Sequence, residues 1–305
     1  MHGILLVDKP ARMTSAGVVR DVKRRLGGVK VGHLGTLDPF ATGLLPLAIG
    51  EGAKIVPFLN QEEKSYHGTI TLGTTTDTLD ATGRTTETAP IPPLTQAAVD
   101  EVTRRFVGEI EQVPPMYSAL KRGGVPLYRL ARKGVEVELS PRRVHIAVLS
   151  LVLVSAESIS LSIDCSKGTY VRSLARDVAI ALGTVGHVSM LRRTAFGMFR
   201  LSEAVPLDQV SAGGSGLMSL REALGRLREL SATERLVADI RAGRQAGLAS
   251  LPVAEFAGEV AKLVGPEGEI VAMVGASGSA WKLLRVFARH ADEIPGRLTD
   301  RETRR

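Results

Sequence analysis

One carboxylate, Asp38, stands in the stretch Gly32-His33-Leu34-Gly35-Thr36-Leu37-Asp38-Pro39-Phe40-Ala41-Thr42-Gly43. Gly32, Gly35 and Gly43 permit backbone angles or close approaches that a side chain would forbid. Pro39 fixes its own φ and pushes Asp38 out of the helical region. The same residues also make an ordinary turn, since Asp-Pro is a common turn initiator. If the carboxylate is there for chemistry, it can act as nucleophile or as acid–base group without any cofactor. A neighbouring arginine would hold it ionised.

Other chemistries leave no trace. There is no Gly-x-x-x-x-Gly-Lys-Ser/Thr phosphate loop, no Gly-x-Gly-x-x-Gly after a strand, and no Gly-x-Ser-x-Gly around a nucleophile. No His/Cys group has metal-ligand spacing. The single cysteine, Cys165, allows no internal disulfide, and its place in an alternating strand makes it a core residue. That usage points to a reducing cytoplasm. The apolar run Gly3–Val7 is too short for a leader, and no stretch is long enough to span a membrane. Lys and Arg number 39 against 32 Asp and Glu, with a pI of about 9.7, so a polyanion such as nucleic acid is the favoured partner. The basic excess is densest between Lys121 and Arg143. There seven basic residues (Lys121, Arg122, Arg129, Arg132, Lys133, Arg142, Arg143) face Glu136 and Glu138, with Tyr117 and Tyr128 interleaved. Such a segment, 107–143, suits an arm that grips phosphates; a solvated surface loop has the same composition.

The elements that must position these groups follow from periodicity. Ile4–Val7 reads as a buried strand. Thr14 sits where a cap belongs, and Ser15–Leu26 reads as a helix with Arg20, Lys23, Arg24 and Arg25 outward. Tyr66, Gly68, Ile70 and Leu72 share one face of a strand, and Val99, Val102 and Phe106 one face of a helix. Val144–Val154 and Ser158–Cys165 form a hairpin. A helix runs from about Tyr170 to Leu182, stopped by Gly183. Met190–Thr194 leads into a further strand near Phe199. Residues 208–232 read as helix and linker. A helix at Leu236–Arg241 and strands near 260–264, 270–274 and 281–287 make a small β-barrel. The polar tail 289–305 reads as disordered.

The Asp38 stretch resembles the catalytic motif of the bacterial tRNA pseudouridine-55 synthase (TruB) family. The likeness extends from residue 3 to about 205. It includes Val7-Asp8-Lys9-Pro10, Gln112–Lys121, Pro126–Arg132, Cys165–Leu174 and Leu191-Arg192-Arg193-Thr194. Leu34, Phe40 and Ala53 depart mildly from its pattern, and the C-terminal segment resembles the family's PUA-type domain only weakly. The resemblance implies an isomerase that detaches a tRNA uracil from its ribose, turns it and rejoins it through C5, with no cofactor and no metal. The uridine would be the T-loop one, position 55. Asp38 takes the place of the family's catalytic aspartate; attack at the sugar, attack at the base and proton abstraction all remain open. Tyr66 takes that of the active-site tyrosine, able to stack on the uracil and to assist proton transfer. Arg172 would pair with the catalytic carboxylate, and Tyr170 and Leu191 would pack around the base. His33 would fill the space left by the flipped nucleotide. Of the remaining residues grouped with substrate binding, Lys9 would be structural, Lys54 would make an RNA or structural contact, and Asp80 would support the site by hydrogen bonding. Lys121, Arg129, Arg132, Lys133 and Arg142 would meet the RNA backbone.

The fold implied is α+β: a pseudouridine synthase core, 1–230, with a mixed, mostly antiparallel sheet, then a PUA-like RNA-binding unit, 233–288. The partner is the tRNA T-arm, the setting cytoplasmic, and the chain a monomer. Two other classes fit the residues: an RNA-folding factor whose chemistry is secondary, and a hydrolase pairing Asp38 with Asp77 or Asp80.

Overall fold

In the computed structural model, which describes residues 1–59, 63–135, 137–278 and 280–288, the apolar runs become the middle of one large sheet. Its strands lie in the order Val205–Pro206, Gly3–Lys9, Thr42–Ile49, Gly186–Phe196, Lys64–Leu72, Ser158–Cys165, Arg142–Ser155 and Gly108–Gln112. Thr42–Ile49 runs parallel to Gly186–Phe196, and Gly3–Lys9 parallel to Val205–Pro206; the other neighbours along this path are antiparallel. The sheet is therefore mixed and mostly antiparallel, as expected.

The helices sit where their caps dictate. Thr14 Oγ1 accepts from Gly17 N at 2.9 Å and opens Ser15–Arg25. Thr95 caps Gln96–Arg105 in the same way. Val171–Ala181 ends at Gly183, whose φ of +82° a side chain would resist. Its buried stripe, Leu174, Ala175 and Val178, joins Ile70, Ile163 and Cys165 in the core, so the thiol is a packing group. Burial pushes that thiol up to about 11.

Two expectations are refined. Met190–Thr194 leads into the short strand Phe199–Arg200, as expected, and itself lies within a longer one, Gly186–Phe196, at the centre of the sheet. The basic arm is narrower than its composition indicated. Gly108–Gln112 pairs with Arg142–Ile146 in the main sheet, so only the stretch between leaves it, carrying a two-stranded ribbon (Lys121–Arg122, Val125–Pro126) and a short helix, Leu127–Ala131.

The C-terminal strands form a four-stranded sheet, Arg228–Ser231, Val260–Val264, Ile270–Ser277 and Ala280–Val286. Its first strand lies in what read as linker. The sheet has a core of its own around Leu230, Leu263 and Trp281, and it is not free of the rest. Ile270, Met273 and Phe287 share a second cluster with Ile4, Leu6, Leu44 and Phe196 of the main sheet. The tail 289–305 lies outside the described residues.

Candidate active site

Asp38 sits in the loop between Val31–His33 and Thr42–Ile49, and four side chains from four elements brace that loop. Ser15, the first residue of its helix, accepts from Leu37 N at 2.9 Å and donates to Leu37 O at 3.0 Å. Lys9 Nζ donates to Pro39 O at 3.3 Å, and to Pro10 O and Met13 O. Arg193 Nη2 donates to Gly35 O at 2.9 Å and its Nε to Leu44 O at 2.7 Å. Arg172 grips the carboxylate itself, with Nε 2.8 Å from Oδ2 and Nη2 2.9 Å from Oδ1. This is the two-point fork that a guanidinium makes and an ammonium cannot.

Arg172 is in turn held from behind. Its Nη1 donates to Thr78 O at 2.8 Å and its Nη2 to Tyr117 O at 2.9 Å. Asp80 Oδ2 lies 3.7 Å away. Asp80 is buried, and its Oδ1 accepts from Thr78 Oγ1, Thr82 N and Thr82 Oγ1. The turn that presents it contains Leu79 at φ +59°, a conformation rarely held by a side-chain-bearing residue. Leu79 O and Ala81 N are zipped onto Val188 N and O of the central strand. The start of the arginine's helix is fixed by Gln112, whose side-chain amide takes both backbone groups of Tyr170, donating to O at 3.1 Å and accepting from N at 2.8 Å.

The electrostatics follow this enclosure. A third of the Asp38 side chain reaches open space, against 3% for Arg172. Burial raises the Asp38 carboxyl above its ordinary value; Arg172 and Lys9 oppose the rise and Asp80 adds to it. Lys9 is fully buried, and desolvation brings its ammonium down to about 8 although Asp38 pulls it up. Tyr66 is buried on the adjacent strand; burial raises its phenol and Arg193 draws it back. His33 is lowered by burial and by Arg193, so its ring is neutral at pH 7.

The structure thus brings Asp38, Tyr66, Arg172 and, behind them, Lys9 and Asp80 into one cluster. Leu191 lies on the central strand opposite Gly68, two positions along from Tyr66, and Tyr170 at the helix start two residues before Arg172. Lys9 and Asp80, at 0% and 4% exposure, hold the loop and the arginine. Lys54 makes a structural contact. It pairs with Glu51 and donates to Val286 O at 2.8 Å, at the junction with the C-terminal sheet. Asp77 accepts from Arg84 N within its own hairpin. Lys121, Arg129, Arg132, Lys133 and Arg142 are all exposed. The arm's root reaches the site directly, because Tyr117 O accepts from Arg172 and Val113 O from Ser173.

Sequence reasoning missed three of the bracing residues. Ser15 and Gln112 serve backbone groups and leave no periodic signal. Arg193 did leave one: two adjacent arginines in a strand must point to opposite faces. Arg192 goes outward to Asp8, with Nη2 2.6 Å from Oδ2, and Arg193 goes inward.

Known proteins resemble this chain along most of its length. A model of the TruB family pseudouridylate synthase N-terminal domain matches residues 23–171, which include Asp38, Tyr66 and Asp80. A model of the tRNA pseudouridylate synthase B C-terminal domain matches residues 172–224, from Arg172 onward. A tRNA pseudouridine synthase B of Geotalea uraniireducens (strain Rf4) is 43% identical over 80% of this chain and 80% of its own length. That of Azoarcus sp. (strain BH72) is 48% identical over 71% of this chain and 72% of its own. That of Syntrophotalea carbinolica is 40% identical over 92% and 90%. Among solved structures, a chain of a Cbf5-Nop10-Gar1 complex superposes with a TM-score of 0.70 at 23% identity, covering 94% of this chain and 85% of that one, a likeness of fold.

Proposed function

The chain belongs to the TruB family of tRNA pseudouridine synthases, isomerases that act on a tRNA uridine, and from that premise we propose that Asp38, Tyr66 and Arg172 carry the reaction at the T-loop uridine, position 55. The observation that carries this reading is the two-point ion pair between Asp38 and the buried Arg172. Each Asp38 oxygen is held by one N–H and keeps a further acceptor site. The carboxylate is thereby fixed in orientation while part of it stays open to a ligand. The overall change is an isomerisation: the bond from C1′ to N1 breaks, the bond from C1′ to C5 forms, N1 gains a proton and C5 loses one. No atom or electron has to be supplied from outside.

The residues divide the work by their placement. Asp38 is the group that reacts with the nucleotide. Arg172 holds it ionised and oriented, and Asp80 with Thr78 holds Arg172. Tyr66 offers a ring face to the flipped base and an oxygen for the proton lost from C5. Leu191 and the Tyr170 ring pack around the base. Neutral His33 takes its place in the RNA stack, where an aromatic ring offsets part of the lost stacking. Lys121, Arg129, Arg132, Lys133 and Arg142 neutralise phosphates of the T-arm. Residues 1–230 are the catalytic unit and 233–288 a PUA-like second RNA-binding unit, whose sheet borrows its first strand, Arg228–Ser231, from the end of the first. The enzyme acts as a monomer in the cytoplasm, unlike the Cbf5 neighbour, which was solved with Nop10 and Gar1.

The test is tritium release from a T-arm stem-loop RNA carrying 5-tritiated uridine, with wild type and Asp38→Asn side by side. Release by wild type alone, from one loop uridine, is expected. Release by both removes Asp38 from the chemistry. Release by neither, with tight RNA binding by both, favours an RNA-folding factor.

A further inference from the structure

Arg193, like Lys9, is a fully buried cation near the site, at 0% exposure in the central strand of the sheet. Among the described residues it makes no ion pair. A buried guanidinium without a carboxylate is costly by several kcal/mol unless its donors are met. Two of its nitrogens are met, by Leu44 O and Gly35 O on either side of Asp38. Its Cζ lies 5.5 Å from the Phe196 ring centroid. Nη1, buried as deeply, has no hydrogen-bond partner.

The sequence around it makes room for this one side chain. A Cβ on Gly35 would lie 3.3 Å from Nη1 and 2.7 Å from Phe196 Cε2. A Cβ on Gly43 would lie 2.4 Å from the Arg193 carbonyl oxygen. Two glycines of the Asp38 stretch are therefore small because the Arg193 strand passes against them. On its other edge Arg193 stands directly opposite Tyr66 in the antiparallel register. The guanidinium lies near enough to the phenol to favour its ionised form.

We propose that Arg193 is a positioning residue of the reaction: pinned by Gly35 and Leu44, it presents Nη1–H to the Tyr66 oxygen and stabilises that oxygen whenever it carries negative charge. The proposal rests on the reading of Tyr66 as the group that takes the C5 proton. In that step the phenolate accepts the proton, the C–H electron pair returns to the ring, and Tyr66 becomes a neutral phenol. The phenol later gives the proton to solvent. The surroundings favour the assignment. Tyr66 is faced by Arg193 from the central strand, Cys165 from its other neighbour and Asp38 from the loop. The thiol is neutral, pushed up to about 11 by burial. Arg193 is faced by Lys9, by neutral His33 and, across the Phe196 ring, by Lys64, whose Nζ is 5.0 Å from the centroid. Of the cations, Arg193 alone lies opposite the phenol in the strand register and carries an unused donor.

The experiment compares wild type, Tyr66→Phe, Arg193→Lys and Arg193→Met in two measurements. The first is the ultraviolet tyrosinate titration, where Tyr66 is one of four tyrosines and is isolated by difference from Tyr66→Phe. The second is the single-turnover rate against pH, with RNA affinity measured alongside. Arg193→Met is expected to move the Tyr66 titration up by about one pH unit or more and to lower the rate about a hundredfold. Its RNA affinity should stay within a factor of about three, since no phosphate contact is lost. Arg193→Lys should recover part of both. If Arg193→Met does not fold, Arg193→Lys decides, because a displaced charge still moves the titration. An unmoved titration in a folded variant overturns the proposal, as does a rate that falls only in step with affinity. Full activity of Tyr66→Phe would instead sink the reading of Tyr66, while the titration shift would still report the coupling to Arg193.

Discussion

Replacing Arg172 by Met removes both bonds to Asp38 in a side chain of similar length. Breaking a buried ion pair by deleting one partner costs about 3–5 kcal/mol. Here Arg172 is 3% exposed but a third of Asp38 reaches open space, so solvent takes over part of the work and the lower end applies. About 3 kcal/mol off the orientation and ionisation of the reacting carboxylate is about two orders of magnitude in rate. The pH profile gives a second, independent reading. The active carboxylate is ionised, so activity is lost as pH falls through the Asp38 pKa, already raised by burial. Arg172 is the largest influence pulling that pKa down. Without it the acid limb must move to higher pH, by about one unit or more. Folding suffers too, because Thr78 O and Tyr117 O each lose a donor, at about 1–2 kcal/mol each. Melting and circular dichroism therefore accompany tritium release and filter binding. RNA affinity should hardly change. A dissociation constant raised tenfold or more with normal turnover, or an acid limb that stays where it was, would refute the assignment. Arg172→Lys should recover the charge but not the fork, and so fall between the two.

Two further outcomes follow from other parts of the fold. Neutralising Arg129, Arg132 and Lys133 together should weaken RNA binding and reduce the slope of log affinity against log salt by about two to three, with the rate at saturating RNA little changed. An unchanged slope would take the arm out of the interface. Gly43→Ala should lower stability by about 2–4 kcal/mol, because φ is +98° and the new Cβ would meet the Arg193 carbonyl at 2.4 Å. Gly28→Ala, at φ +89° with nothing within 4 Å, should cost only about 1–2 kcal/mol; equal losses in melting temperature would show that the clash with Arg193 is not the cause.

The elements of this chain were legible wherever one face is apolar and the ends carry their own chemistry. Thr14 and Gly183 mark helix ends that the structure bears out, and Tyr66 to Leu72 keeps its alternation. The short strand Arg228–Ser231 was not legible, since it buries only Leu230 and depends on a parallel partner more than thirty residues later. The pairing of Asp38 with Arg172, 134 residues apart, is invisible to spacing and came from the family resemblance.

Arg193 shows why part of the site escapes a reader of patterns. A charged residue in a central strand breaks the hydrophobic rule, and pattern reading discounts such a position as a surface residue or a strand end. The rule holds because a buried charge is costly; a chain that breaks it must compensate nearby. Here the compensation is written in other residues: a glycine whose carbonyl turns to Nη2, a second glycine that lets the strand close in, and a phenylalanine under the guanidinium. Each looks like turn or core chemistry on its own. Only together do they mark the arginine as placed, with one donor left over beside Tyr66. Local violations that a fold compensates this fully are where function is to be sought.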